Sequence, residues 1–253
     1  LERPEKPAQA QLGGGEDRIS KQHAKGKLTA RERINLLLDP QTFVELETFA
    51  LQQQDPLGTG DTRYPGDGVV TGYGKVDGRT IYVYAQDFTV QGGSLGEMQG
   101  TKIARMMDLA VRAGAPCVGM IDSGGARIQE GVYSLRGYAE IFKRNAQYSG
   151  IIPQISVIMG PCAGGASYSP ALTDFIVMVE KQSFMFLTGP EVIKTVTGEV
   201  IDQESLGGAA VHLSTSGLAS LTAPTEQDAI ATVRTLLGYL PSNNVDSAPV
   251  VPS

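Results

Sequence analysis

The sequence predicts an α/β domain: a mostly parallel sheet with helices on both faces. Three observations carry that prediction. Short, uninterrupted apolar strands (Cys117 to Ile121, Ile155 to Met159, Phe175 to Val179) alternate with helical patterns, as strands buried on both faces do. Glycine-rich turns end the first two of these strands. The hydrophobic share is 41% and the charged share 19% over 253 residues, enough to bury a sizeable core.

Taken in order, residues 1–15 read as a flexible leader, Pro-rich and charged at its start and without the apolar centre of a signal peptide. Thr29-Ala-Arg-Glu32 is a capping box that opens a helix with Ile34, Leu37 and Leu38 on one stripe, stopped by Asp39-Pro40. Val69 to Val76 and Arg79 to Ala85 flank Asp77-Gly78, the turn chemistry of a type I′ hairpin. Ser94-Leu-Gly-Glu97 reads as a second capping box, opening a helix with Ile103, Met106, Met107 and Ala110 on one face and ending at Gly114 and Pro116. A helix over residues 132–148 links the first two buried strands, and a last helix over 226–240 ends at Pro241. Residues 16–241 thus form the domain, and the polar, Pro-containing residues 242–253 read as a linker or tail.

Charge and cysteine content narrow the function. A net charge of −6 disfavours nucleic-acid binding, which needs a clustered positive surface, while leaving room for a local basic pocket. The two cysteines, Cys117 and Cys162, have no metal or redox spacing, so no metal site is expected and a reducing compartment is. No apolar run has the length of a membrane span.

The two glycine turns are the informative feature. Ser123-Gly124-Gly125-Ala126 and Ala163-Gly164-Gly165-Ala166 each follow a buried strand and precede a helical pattern, with one strand–helix–strand crossover between them. Both turns are therefore expected at the carboxyl ends of neighbouring strands, where open α/β sheets build their sites. Paired glycines let a ligand approach the backbone N–H groups closely, which suits an anionic oxygen, either a phosphate or an enolate. Gly96 to Lys102 lacks P-loop spacing, and no G-x-G-x-x-G or G-x-S-x-G occurs. His23 and His212 lie away from the turns and read as structural or exposed. Glu97 and Glu130 read as capping or surface residues. If this is an enzyme, backbone electrostatics carry the chemistry.

The segments KQHAKGKLTARERINLLLDP, DGVVTGYG, QDFTVQGGSLGE, DSGGARIQEG, GPCAGGASYSPALTDFI and FLTGPEVIKTVTGE resemble the β-subunit family of biotin-dependent acyl-CoA carboxyltransferases, over about Lys21 to Asn244. The resemblance implies a crotonase-like spiral domain that binds acyl-CoA. It places oxyanion-stabilising amides at Gly124, Gly125 and Ala126 and at Gly164, Gly165 and Ala166, with Ser123, Arg127, Ala163 and Tyr168 expected to contact the CoA ligand. It further implies carboxyl transfer from carboxybiotin to a short acyl-CoA such as propionyl-CoA. The biotin rides on a partner with its biotin carboxylase, and a hexamer in the cytoplasm, or the mitochondrial matrix of a eukaryote, is expected. Family members continue into a related C-terminal domain that holds biotin, so the present half is expected to be inactive alone. A crotonase-type hydratase or isomerase, a transcarboxylase, a decarboxylase subunit and a non-catalytic assembly domain are the alternatives.

Overall fold

A computed structural model of the chain describes residues 10–52 and 63–250. Helix α1 (Glu16–His23) leads into α2 (Ala30–Leu37). At the start of α2 the Glu32 amide donates to Thr29 Oγ1 (3.3 Å) and the Thr29 amide donates to the Glu32 carboxylate (2.7 Å), the reciprocal cap expected from the sequence. Strands β1 (Val44–Leu46), β2 (Val69–Val76) and β3 (Arg79–Gln86) form an antiparallel meander. Asp77 and Gly78, at φ 50° and 80°, make the predicted turn between β2 and β3.

Helix α3 (Glu97–Ala113) starts differently from the expectation. Ser94 is not its cap: Gly96 holds that position, and Ser94 Oγ donates to Gln91 O instead (2.8 Å). The Glu97 amide is satisfied from outside the helix, donating to Glu130 Oε2 at 2.7 Å. A carboxylate distant in sequence took the role that a local serine could have filled.

The rest of the chain builds the parallel part of the sheet. β4 (Cys117–Ser123), α4 (Val132–Tyr148), β5 (Gln154–Ala163), α5 (Gly165–Ala171), β6 (Phe175–Val179) and β7 (Phe184–Phe186) follow in order. The short helices α6 (Pro190–Thr197), α7 (Gln203–Gly207) and α8 (Ala209–Ser214) precede β8 (Leu221–Ala223) and α9 (Glu226–Tyr239). The strand order is β1-β2-β3-β4-β5-β6-β8, with β7 paired to the far end of β5 and every contact after β3 parallel. β5 is longer than expected because Pro161 to Ala163 continue the strand against β7.

Alternation along the strands divides the core in two. Cys117 and Ile121 of β4 face α3 and α4, joining Ile103, Met106, Met107 and Ile141. Val118 and Met120 face α2 and α9, joining Ile34, Leu37, Ile230 and Val233. The expected leader and tail begin close to this body. Residues 1–9 lie outside the described residues, but the Gly14 amide donates to Thr89 Oγ1 (2.9 Å). Past α9, Asn243 Nδ2 donates to Gly114 O and the Asn244 amide to Ile151 O, both at 2.9 Å.

One cation is set into this frame with backbone acceptors alone. Lys102, in α3 and 1% exposed, donates from Nζ to Gly66 O (2.9 Å) and Val69 O (2.6 Å), tying α3 to the approach of β2. Burial lowers its ammonium to about 8, against the opposing pull of Glu45 and Asp67. The unfolded chain keeps this proton up to the ordinary lysine range, so between those limits it binds more protons than the folded chain and stability rises with pH. Relative to Lys102→Met, the protein is expected to gain about 2 kcal/mol between pH 8 and pH 10. Urea denaturation of both proteins across that window tests this, and parallel pH profiles would contradict it.

Candidate functional site

β4 and β5 run parallel with Val118 opposite Ile155 and Met120 opposite Val157. A register shift after Ile121 places Ser123 opposite Cys162, so both strands finish at the same edge of the sheet. The two glycine turns therefore meet. A Cβ added to Gly125, whose φ is 101°, would lie 2.8 Å from Ala163 O, which makes glycine necessary there for both conformation and space. The sequence-based pairing of the two turns is thus what the backbone shows.

The amides of these turns divide into two groups. Gly124 N–H donates to Gly92 O (3.0 Å), Gly125 N–H to Ser123 Oγ (3.1 Å) and Gly164 N–H to Phe186 O (3.1 Å). The N–H groups of Ala126, Gly165 and Ala166 donate to nothing among the described residues. Ala126 and Gly165 are half-buried, whereas Ala166 is buried. Gly165 opens α5, where no intrahelical acceptor is available to it. The first turn has no such helix directly behind it, because a 3-10 turn (Ile128–Glu130) intervenes before α4. Glycines 124, 125 and 164 shape the turns, and the free donors are their neighbours Ala126, Gly165 and the buried Ala166.

Buried charges grip the first turn at both ends. On one side Asp122, fully buried, accepts from Lys27 Nζ (2.7 Å) and Arg33 Nη2 (3.0 Å) through Oδ2. Arg33 also donates to both oxygens of Glu226 (2.7 and 2.8 Å), at the start of α9. On the other side Arg127 donates from Nη1 to Asp67 (2.6 Å) and Glu130 (2.8 Å), and from Nη2 to Ser94 O (3.0 Å). Each charge has an opposite charge beside it, although Asp122 Oδ1, Arg33 Nη1 and Arg127 Nε are buried without a hydrogen-bond partner, and loss of one ionic partner would strand another. Burial lowers the Lys27 ammonium despite Asp122, and it raises the Asp67 carboxyl against the pull of Arg127. For Arg33, burial is outweighed by Glu226 and Asp122, and the guanidinium is held above its usual range.

The residues singled out from the sequence take the following places. Arg127, expected on the ligand, is 0% exposed and engaged with the protein's own acceptors. Ser123 is likewise fully buried and accepts the Gly125 N–H. Glu130 is not a surface residue: it is buried between Arg127 and the Glu97 amide. Tyr168 is exposed on α5, with Phe142 at 6.1 Å between ring centroids, and Ala163 brings its carbonyl against Gly125. His212 Nε2 donates to Met185 O and its Nδ1 bonds the Ser216 hydroxyl, and His23 pairs with Glu32, so both are structural. The sequence reading missed Lys27, Arg33, Asp67 and Glu226. One signal was present: Arg33 occupies the same helical stripe as Ala30 and Leu37, an inward position for a charge. Among the described residues no group of His, Cys, Asp or Glu is placed to hold a metal ion, and no helix is long and apolar enough to cross a membrane.

The mostly parallel sheet with flanking helices is the crotonase-like fold, shared with carboxyltransferases of known structure. Residues 21–253 match the Carboxyl transferase domain family, and the chain belongs to it. It is 58% identical to a propionyl-CoA carboxylase carboxyltransferase subunit of Haloferax mediterranei, over 98% of this chain and 48% of that protein. It is 59% identical to the methylmalonyl-CoA decarboxylase subunit alpha of Veillonella parvula, over 98% of this chain and 48% of that protein. Transcarboxylase 12S, solved as a hexamer with methylmalonyl-CoA and methylmalonic acid bound, superposes with a TM-score of 0.95 at 49% identity, covering 98% of this chain and 48% of that one. The chain spans about half the length of the curated relatives it matches.

Two glycines separate geometry from crowding at the site. Gly131 has φ 57° with nothing within 4 Å of an added Cβ, so Gly131→Ala carries conformational strain alone, about 1–3 kcal/mol. Gly125→Ala carries similar strain plus the contact with Ala163 O, a further ~1–3 kcal/mol. Chemical denaturation should show Gly125→Ala as the more damaging change. Equal losses would mean that the two turns do not press together.

Proposed function

We propose that this chain is the acyl-CoA-binding half of a biotin-dependent carboxyltransferase, which carboxylates the α-carbon of a short acyl-CoA such as propionyl-CoA. The observation that carries this reading is that Ala126 and Gly165, the half-buried members of the three unused N–H groups, lie in turns that meet at one sheet edge. A thioester oxygen held by both amides would be polarised, and the α-proton would become acidic enough to remove. The negative charge that builds on that oxygen as the enolate forms is what fixed amide dipoles stabilise best in a water-poor site. The enolate carbon then forms the new C–C bond to CO2.

The donor set also fits a base that comes from elsewhere. Among the described residues, the carboxylates flanking the turns (Asp122, Glu130) are consumed by Lys27, Arg33 and Arg127, and neither histidine is nearby in the network. Carboxybiotin on a partner protein would supply both the CO2 and the basic nitrogen. This chain's residues bind the thioester, hold its oxygen and keep the turn rigid. The same feature disfavours a hydratase or isomerase, which needs a free acidic side chain over the thioester. Likeness to a methylmalonyl-CoA decarboxylase subunit at 59% identity favours one second reading, in which the same site runs the transfer in the decarboxylating direction. A hexamer with the C-terminal half, working with a biotin carrier in a cytoplasmic or mitochondrial-matrix setting, completes the proposal. Both cysteines are buried and free, in keeping with such a compartment.

The test is removal of one donor. Replacing alanine 126 by its α-hydroxy acid analogue turns the amide N–H into an ester oxygen and leaves the side chain alone. In the full-length subunit with its biotin carrier, kcat for propionyl-CoA carboxylation should fall about 10²–10³-fold with little change in KM. An unchanged kcat would remove Ala126 from the mechanism.

A further inference from the structure

Ala126 and Gly165 belong to different turns, and one stretch of α4 touches the surroundings of both. Gly137 packs against Leu95: a Cβ added to Gly137 would lie 2.9 Å from Leu95 Cδ2 and 3.0 Å from Gly96 O. Leu95 in turn brackets Ala126, its N–H donating to Gly125 O (2.9 Å) and its carbonyl accepting the Arg127 N–H (3.0 Å). The next residue of α4, Tyr138, lies against the second turn. A Cβ added to Gly165 would stand 2.9–3.0 Å from Cδ2, Cε2 and Cγ of the Tyr138 ring, so the ring presses on the backbone at that donor. We propose that Tyr138 is a positioning residue: its ring fixes the Gly165 N–H relative to the Ala126 N–H, so that one thioester oxygen meets both. The role in the reaction rests on the carboxyltransferase reading above.

The ring is fixed at its root, its face and its tip. At the root, α3 and α4 cross with their backbones in contact: a Cβ on Gly100 would be 2.5 Å from Gly137 Cα. On the face, Phe142 stacks one turn further along α4, with centroids 5.6 Å apart and planes at 29°. At the tip, Tyr138 Oη is buried beside Ser123, whose Oγ accepts the Gly125 N–H. That Oη has no hydrogen-bond partner, and a buried hydroxyl without one costs stability. The useful part of the side chain is therefore its plane. An aromatic ring with two χ angles is a stiff spacer, whereas a smaller aliphatic side chain would leave a void into which Gly165 could move. A shift of about 1 Å at a donor is enough to cost about 10²-fold in rate.

The test uses the full-length subunit with its biotin carrier and propionyl-CoA, with kcat taken per folded protein. Tyr138→Leu should lower kcat about 10²-fold while KM stays within about twofold. Tyr138→Phe keeps the ring and removes only the unpartnered hydroxyl, so kcat should stay within about threefold and the melting temperature should not fall. If Tyr138→Leu does not fold, Tyr138→Met, a flexible filler of the same space, takes its place with the same expectation. Ile141→Val, a buried change on the same helix, serves as the control and should lower stability without altering kcat. The proposal is overturned if the aliphatic variant keeps its kcat, if the loss appears in KM rather than kcat, or if Tyr138→Phe falls as far as the aliphatic variant. Amide hydrogen exchange gives a readout free of turnover: it should rise at Gly165 in the aliphatic variant and stay unchanged in Tyr138→Phe. That exchange pattern in a full-length subunit that carboxylates no thioester would leave the positioning of Gly165 standing and sink the carboxyltransferase reading instead.

Discussion

The meeting of Gly125 with the Ala163 carbonyl is the constraint on which the site depends. It requires β4 and β5 to be neighbours, parallel, and shifted in register so that Ser123 stands opposite Cys162. It also requires a residue without Cβ at a φ of 101°. Neither turn could hold that geometry by local preference, because glycines lose more freedom on folding than other residues. What holds it is charge placed immediately outside the turn. Asp122 is fixed by Lys27 and Arg33, and Arg127 by Asp67 and Glu130, all buried. These partners come from α1–α2, from the approach to β2, and through Glu226 from the start of α9. Distant parts of the chain thus converge on six residues.

That convergence explains a division of labour within the motif Asp122 to Arg127. The charged residues at its ends are structural, the glycines set conformation, and Ala126 alone presents a free amide. A site built this way needs no titrating side chain of its own. Under the proposed function its contribution would be a fixed field at a fixed place, which costs no reorganisation when charge develops. Buried ion pairs are a weak source of net stability, since desolvation offsets most of their attraction. Their use here is better understood as fixing one arrangement of the turn against others.

Much of the fold was legible in the sequence because its signals are local. The Thr29 capping box, the Asp77-Gly78 turn and the apolar strands at Cys117, Ile155 and Phe175 each depend on a few adjacent residues, and each stands where expected. The second capping box failed because Ser94 and Glu97 match a pattern that Glu130, far along the chain, displaced. The short strands β1, β7 and β8 carry too few residues for periodicity to mark them. At the site, the sequence identified both turns but not which amides are free, since that depends on acceptors such as Gly92 O and Phe186 O that only tertiary contact supplies. Arg127 illustrates the same limit. The family resemblance implies a ligand contact there, and its ion pairs with Asp67 and Glu130 appear only in the packed structure.

The central claim is that Ala126 and Gly165 donate together to a thioester oxygen, and vibrational spectroscopy reads that oxygen directly. Isotope-edited infrared difference spectra of propionyl-CoA labelled with 13C at the thioester carbonyl, bound to the full-length subunit, would report its C=O stretch. Two converging N–H donors weaken that bond, so the account predicts a stretch shifted to lower frequency than in free propionyl-CoA, and a smaller shift when alanine 126 carries an ester in place of its amide. A bound carbonyl with the frequency it has in water, insensitive to that replacement, would contradict the account.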